Sequence, residues 1–361
     1  MTDRKLVTLE TIKDISPIPN ADNLEKATVR GWSVVVQKNK FKVGDKCFFF
    51  EVDSFLPLEK KYEFLHKACF KTNGDGSEGF RLRTIKLRKQ LSQGLVMSLD
   101  DFEIYKESDT TWKYSNETGQ KYYIDPNSDE DLSRIFNVTK YEPPIPASLS
   151  GKVKGNFPSC IPKTDQERIQ NLINDTEAMK EIINHDFEVT IKLDGTSATF
   201  YHMMDGTKGV CSRNLDLKLE DDTSIYVKLA KETGILDLIP QGYAIQGEIY
   251  GNSIQSNHDK LNTINFYIFD IFYIEYQKYL TPSDRLVFFN NLLDGKHEKI
   301  KHVPILPRVH LGEDLTLDML LEASDNCGSI NNKICEGLVY KRTDGLFSFK
   351  CISNNFLLEN E

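Results

Sequence analysis

Through its first hundred residues the chain alternates short apolar runs with turn residues. Leu6 to Ile12, Ala27 to Val36, Lys46 to Val52 and Ser92 to Leu99 are rich in Val, Phe and Leu, and the spacing predicts strands there. Pro17-Ile18-Pro19-Asn20-Ala21-Asp22 and Val43-Gly44-Asp45 break the pattern between them. Short strands with regular turns predict a small barrel. Residues 101–162 read as an irregular connection, with turn and linker chemistry at Asn116 to Gly119, Asp125 to Asp131 and Glu142-Pro143-Pro144-Ile145-Pro146. A domain boundary is expected near 140–160. Beyond it helices and strands alternate. Asp165 to Ile173 and Leu315 to Ala323 have helical spacing, while Tyr243 to Ile249, Phe266 to Tyr273 and Gly337 to Lys341 read as buried strands. Strand alternation would put Tyr267, Phe269 and Ile271 on one face and Phe266, Ile268 and Asp270 on the other. No internal repeat is present.

Composition narrows the class without naming it. At 361 residues the chain is long enough for two cored domains, and 39% apolar with 27% charged content fits a globular protein. No apolar run reaches the roughly 18–20 residues of a membrane helix, and no signal core follows Met1-Thr2-Asp3-Arg4-Lys5. The seven cysteines form no C-x-x-C pair, so neither a zinc site nor a disulfide framework is indicated. A reducing intracellular compartment, cytoplasmic or nuclear, is the expectation. The net charge of −9 argues mildly against nucleic-acid binding. Yet Arg81-Leu82-Arg83-Thr84-Ile85-Lys86-Leu87-Arg88-Lys89 carries five positive charges and no acid.

One apolar-alternating run, Phe187 to Ile191, leads into Lys192-Leu193-Asp194-Gly195-Thr196. This reads as a strand ending in a tight turn with a lysine at its tip. A lysine attacks only when neutral, and its ordinary pKa of about 10.4 keeps it charged at neutral pH. Burial and a neighbouring cation lower that value.

Other segments give this lysine partners. Downstream come Ser212-Arg213-Asn214, Gln246-Gly247-Glu248-Ile249-Tyr250-Gly251 and Phe266-Tyr267-Ile268-Phe269-Asp270-Ile271. Glu336-Gly337-Leu338-Val339-Tyr340-Lys341 and Phe349-Lys350-Cys351-Ile352-Ser353 follow. From about residue 155 to 361 this resembles the covalent nucleotidyltransferase superfamily of polynucleotide ligases and mRNA capping enzymes, with motifs I, Ia, III, IIIa, IV and V in order. The strings SPIPNADNLEKATVRGWSVVV, VGDKCFFFEVDSFLP and RLRTIKLRKQLSQGLVM resemble the tRNA-binding type of OB-fold domain over residues 6 to 100. Ligases of DNA and capping enzymes carry an OB domain after motif V, whereas eleven residues follow Lys350 here. An N-terminal OB module is similar to ATP-dependent RNA ligases of the RNA ligase 5 type. The implied fold class is α+β, with an OB barrel and RNA-binding function over 1–140 and an adenylyltransferase domain over 141–361.

The resemblance also implies roles. Lys192 would attack the α-phosphorus of ATP and carry AMP, which passes to an RNA 5′-phosphate before a 3′-hydroxyl seals the break. Lys350 would contact the α-phosphate and, being cationic, help keep Lys192 neutral. Arg213 would fork onto a phosphate. Glu248 would bind the ribose, Phe269 would stack on adenine, Arg168 would reach the triphosphate and Gln170 the base or ribose. Asp194 and Glu336 would hold hydrated Mg²⁺ or Mn²⁺. Asp270 would join that water shell or order its strand, and Lys341 reads as structural. Arg81, Arg83, Lys86 and Arg88 are the expected RNA contacts of the barrel, with Trp32, Phe48 and Phe50 either stacking platforms or core. His202, His258 and His310 show no ligand spacing. Related RNA ligases often carry a second lysine where Ile352 stands, so the phosphate cradle rests on Lys350 or another cation. Nicked duplexes or broken single-strand ends would be the RNA partner, no membrane is expected, and a monomer is the default. Two alternatives stay open: a capping-type guanylyltransferase, and a non-enzymatic RNA-binding protein with a decayed nucleotidyltransferase half.

Overall fold

The computed structural model describes residues 5–116, 119–144 and 151–360. The chain divides into two compact units, Met1–Ile145 with Leu357–Glu361, and Pro146–Phe356. In the first, five antiparallel strands follow the spatial order Leu95–Ser98, Lys46–Phe50, Val7–Pro17, Leu24–Val29, Trp32–Gln37. The run expected as one strand from Ala27 to Val36 is a hairpin, because Arg30 adopts a left-handed φ of 51° and folds the chain back at Gly31. The sheet closes where Gln93 N donates to Ser33 O at 2.8 Å and Val35 N to Ser92 Oγ at 3.0 Å. Gly94 at this seam is obligatory: its φ is +98°, and a Cβ would lie 2.6 Å from the Phe50 carbonyl oxygen.

Within Lys46–Phe50, residues Cys47 to Phe50 are buried on both faces. Cys47 and Phe49 pack inside the barrel with Trp32, Val34 and Val36. Phe48 and Phe50 pack on the other side against Phe102, Trp112, Tyr114 and Phe136. That covering layer comes from the stretch expected to be irregular, in which Ile104–Ser108, Thr111–Ser115 and Lys121–Ile124 form an antiparallel sheet. Its middle strand buries Trp112 and Tyr114 while Thr111, Lys113 and Ser115 stay more open. The period-2 signal was present but bracketed by turn residues. Phe102 and Phe136 each meet the Phe48 ring edge-on at 4.8 Å, a geometry worth roughly 0.5–1.5 kcal/mol per pair beyond area burial.

The described residues of the second unit build two large sheets. One runs Val153–Asn156, Leu215–Leu217, Lys208–Cys211, Thr196–His202, Tyr243–Tyr250, Asn265–Tyr273, Lys278–Tyr279, with Ile300–His302 parallel beside Asn265–Tyr273. The other runs Glu167–Arg168, Ser348–Ile352, Gly337–Arg342, Asp186–Lys192, Ile305–His310. The chain crosses between them at Leu193-Asp194-Gly195. Helices Ile225–Thr233 and Pro282–Leu292 send Leu229, Ala230 and Phe289 into a core with Phe200, Ile245 and Phe266. Helices Thr176–Ile183 and Leu317–Asp325 send Ile182 and Leu320 into another with Phe187, Leu338 and Phe349. The Asp175, Thr281 and Thr316 side chains accept from first-turn backbone N–H groups, each cap contributing about 1 kcal/mol.

The helix expected over Asp165 to Ile173 is shorter. Glu167–Arg168 first pairs in parallel with Phe349 and Lys350, leaving a helix over Ile169–Leu172. The architecture is the expected α+β, with the barrel first. Among the described residues no helix is long and apolar enough to cross a membrane.

Candidate active site

Lys192 ends its strand opposite Gly337. Glu336 precedes that partner, and its Oε2 accepts a hydrogen bond from Lys192 Nζ at 2.6 Å. Gly195 lets the chain press against the next sheet: a Cβ there would sit 2.4 Å from the Ile249 oxygen and 2.7 Å from Glu248 Cγ. Asp194 and Glu248 thereby act on the same ammonium as Glu336. Ser256 Oγ donates to Asp194 Oδ2 at 2.9 Å. Lys350 stands opposite Val339 on one side and Arg168 on the other. A cavity of about 340 Å³ is lined by Lys192, Asp194, Glu248, Glu336, Lys350, Arg213 and Phe269.

The two lysines sit in opposite surroundings. Burial works against the Lys192 charge, but Glu336, Glu248 and Asp194 outweigh it and hold the ammonium above its ordinary pKa. Lys350 is pushed down to about 7 by burial, then by Arg168 and Lys192, with Asp165 opposing and Arg213 adding. Whatever Lys350 contributes to keeping Lys192 neutral, the carboxylates close to Lys192 outweigh it. Burial also lifts Glu248 to about 8, with Lys192 opposing and Glu336 and Asp194 adding. Asp194 is raised by burial and by Glu336, with Ser256, Lys192 and His258 pulling the other way.

With Glu248 raised to about 8, Asp194 and Glu336 still set two carboxylates against one ammonium, a surplus of negative charge that suits a divalent cation. Among the described residues no group of three or more His, Cys, Asp or Glu converges to ligate a metal directly. The two carboxylates Asp194 and Glu336 have the donor chemistry of a hydrated ion held largely through water. Asp270 does not join them. It is buried and paired with Lys341, with Arg285 Nη1 3.8 Å away. Arg285 in turn pairs with Glu188 and donates Nε–H to His302 Nε2 at 3.1 Å.

The placement of Asp270 corrects the alternation expected for its strand. Gln246 faces Asp270 while Gly247 faces Ile268, so Phe269 is an extra, bulged residue. Phe266, Ile268 and Ile271 consequently share one core, and both Phe269 and Asp270 line the cavity.

The remaining expected residues divide. Arg213 lines the cavity but is exposed and paired with Asp165 at 2.6 Å. Arg168 acts on Lys350 without lining the cavity, and Gln170 is buried in the short helix and does not line it either. Gln166, Glu188, Arg285 and Gln255 line the cavity and were missed. Glu188 had a signal: with Thr190 and Lys192 it keeps period 2, a polar face alternating with Phe187, Val189 and Ile191. Arg285 had a weaker one, a cation four residues before buried Phe289 on one helix face.

In the barrel unit Trp32, Phe48 and Phe50 are fully buried core, so they offer no stacking surface. Arg81 pairs with Asp53 at 3.0 Å and lies over the Tyr141 ring. Arg83, Lys86 and Arg88 are exposed, with Lys86 Nζ donating to the Leu358 carbonyl.

A lysine at a strand tip, ringed by acids and joined through one cavity to the five other segments, defines a covalent nucleotidyltransferase domain behind an OB barrel. An OB-fold domain model matches residues 6–99 and an RNA ligase model matches residues 185–352. Among solved structures, a lysine mutant of the Naegleria gruberi RNA ligase with AMP and Mn is 40% identical, covers 99% of each chain and has a TM-score of 0.78. A second lysine mutant of that enzyme with ATP and Mn gives the same identity, coverage and TM-score. The same ligase with PPi is also 40% identical, covering 99% of this chain and 98% of its own, at a TM-score of 0.77. No curated protein matches the chain. The chain belongs to the RNA ligase family and is an enzyme that joins RNA.

Proposed function

We propose that the chain is an ATP-dependent RNA ligase that seals 3′-hydroxyl and 5′-phosphate ends through lysyl-AMP and RNA-adenylate. The observation that carries this is Lys192 Nζ lining one cavity with Glu248, Phe269, Glu336 and Lys350. Nζ forms a bond to the α-phosphorus as the bond to the β-phosphate oxygen breaks and pyrophosphate leaves. Glu336 Oε2, already the acceptor for Nζ, is the nearest group to take the lysine proton. A divalent cation held through water by Asp194 and Glu336 would supply the charge that loosens the carboxylates' hold on the ammonium. Lys350 and Arg213 neutralise phosphate charge, Glu248 binds the ribose and Phe269 stacks on the base. Each later step, AMP to the 5′-phosphate and 3′-hydroxyl to the activated end, is again an in-line displacement, so positioning and charge dominate.

The barrel unit, residues 1–140 with its linker, engages RNA ends through Arg83, Lys86 and Arg88, either at nicks or at single-strand breaks, while 141–361 carries the nucleotide chemistry. The working unit is a monomer. Free cysteines, including exposed Cys160, suit a reducing compartment.

With Mg²⁺ or Mn²⁺ and α-labelled ATP the protein should become labelled in a denaturing gel, and Lys192→Ala should abolish the label. Label from GTP instead would favour capping chemistry, and label retained in Lys192→Ala would reject the nucleophile.

A further inference from the structure

Cys327 and Cys335 take no part in the chemistry above. They flank the loop between helix Leu317–Asp325 and strand Gly337–Arg342. Cys335 N donates to Cys327 O at 3.0 Å. A bonded backbone pair of this kind holds its Cα atoms within the span a disulfide bridges. Cys335 is fully buried, with Sγ 3.3 Å from the Gly337 carbonyl oxygen, while Cys327 is half-buried. The neighbouring Cys335 side chain holds the Cys327 thiol below its ordinary pKa, with burial opposing.

We infer that Cys327 and Cys335 form an oxidation site, closing to a reversible disulfide under mild peroxide and thereby slowing adenylylation of Lys192. The balance is simple. The Cys327 thiolate attacks a peroxide oxygen, the O–O bond breaks, and hydroxide leaves to take up a proton. Cys335 then attacks the resulting sulfenic sulfur, an S–S bond forms, and a second water carries off the remaining oxygen and the Cys335 proton. Both thiols are oxidised and one peroxide is reduced to two waters.

The coupling to the site is local. Glu336 lies between Cys335 and Gly337, accepts from Lys192 Nζ, and Gly337 is the ladder partner of Lys192. Drawing the two sulfurs to about 2.05 Å removes the Cys335 S–H from the Gly337 carbonyl and shifts this segment. The same loop supplies Ser329 Oγ and Asn331 N, which bond the Asp259 carboxylate at 2.5 and 2.7 Å. Asp259 anchors the turn that carries Ser256 to Asp194, so Glu336 and Asp194 both feel the loop.

The effect on rate rests on the ligase reading; formation of the bond does not. The full chain is treated with hydrogen peroxide, alkylated and cut with trypsin. Lys333 lies between the cysteines, so Val309–Lys333 and Ile334–Lys341 separate when reduced and stay joined when oxidised. The joined pair should appear in wild type, and labelling from ATP should fall on the order of ten-fold and return with dithiothreitol. Cys327→Ser should be labelled like reduced wild type and keep its label under peroxide. Separate peptides at peroxide doses that already oxidise exposed Cys160 would overturn the inference. So would a joined pair with undiminished label, or an equal loss in Cys327→Ser. Absence of label in every reduced sample would count against the ligase reading, and the peptides alone would then decide the oxidation site.

Discussion

The inner and outer ends of one cavity are built from the same charged residue types and sorted in opposite ways. At the inner end Glu188 meets Arg285 and Asp270 meets Lys341, all four buried. Acids and bases alternate there, two of each, so the charges cancel. At the outer end they are segregated. Asp194, Glu248 and Glu336 crowd Lys192, while Arg213 and, from outside the lining, Arg168 act on Lys350. Cancelled charge fixes structure: Lys341 and Glu188 come from one sheet, Asp270 from the other and Arg285 from a covering helix. Segregated charge leaves groups whose protonation is easily moved, and such groups are what phosphoryl chemistry uses.

The largest effect should come from unbalancing the inner end. Lys341→Met strands the Asp270 carboxylate in a buried site, which costs about 3–5 kcal/mol where a buried pair is broken. Adding Asp270→Leu should recover most of that loss, because the unpaired charge is then gone. On the surface, Lys180→Met removes only an exposed pair with Glu177 at 2.7 Å and should cost under about 1 kcal/mol. Urea unfolding of the variants decides it. A single mutant as mild as Lys180→Met would mean the inner charges are hydrated and do not lock the sheets.

The outer end should show itself in pH dependence, with opposite signs for its two halves. Glu248 titrates near 8 when folded, above its ordinary 4.5. Between those values the folded state holds the extra proton, so its contribution to stability falls as pH rises. Lys350 titrates near 7 when folded, below its ordinary 10.5. There the unfolded chain holds the extra proton, so stability rises with pH across that window and the full penalty applies below it. Glu248→Gln should therefore gain on wild type as pH rises towards about 8, and Lys350→Met as pH falls towards about 7. The differences should be roughly a few degrees in Tm, read by thermal melts in metal-free buffer. Two slopes of the same sign would end the claim that the charges are segregated.

These contrasts also mark what sequence could carry. The turn residues of the barrel and the Lys192-Leu193-Asp194-Gly195 corner are local signals, and both stand where expected. Glu336 was legible only through the resemblance of its segment to a nucleotidyltransferase motif, and its place beside the ladder partner of Lys192 is a structural finding. Asp270 was placed on the wrong face because one bulged residue, Phe269, shifts the alternation, and no residue type marks a bulge in a strand this rich in apolar residues. The sheet over 104–124 was overlooked because its strands are short and lie among turn residues, though Trp112 and Tyr114 kept the period. The sign of the Lys192 shift depends on how near three acids from separate strands come. Spacing along the chain holds no record of that.

The smallest effect belongs to the barrel's basic stretch, where the two ends of the cavity have no counterpart. Arg81 is already engaged by Asp53 and Tyr141, so Arg81→Ala should cost stability of about 1 kcal/mol through weakened packing and pairing. Arg83 and Arg88 are exposed, and Arg83→Ala or Arg88→Ala should move stability by no more than about 0.5 kcal/mol. Their consequence lies in RNA binding. Removing one arginine–phosphate interaction should lower the slope of log affinity against log salt by about 0.7 on single-stranded RNA. Fluorescence anisotropy with a labelled 5′-phosphorylated oligonucleotide across a salt series measures that slope. A slope unchanged in the Arg83→Ala/Arg88→Ala double variant would make this stretch a solvated strand face, and RNA would then have to be held by the nucleotidyltransferase unit.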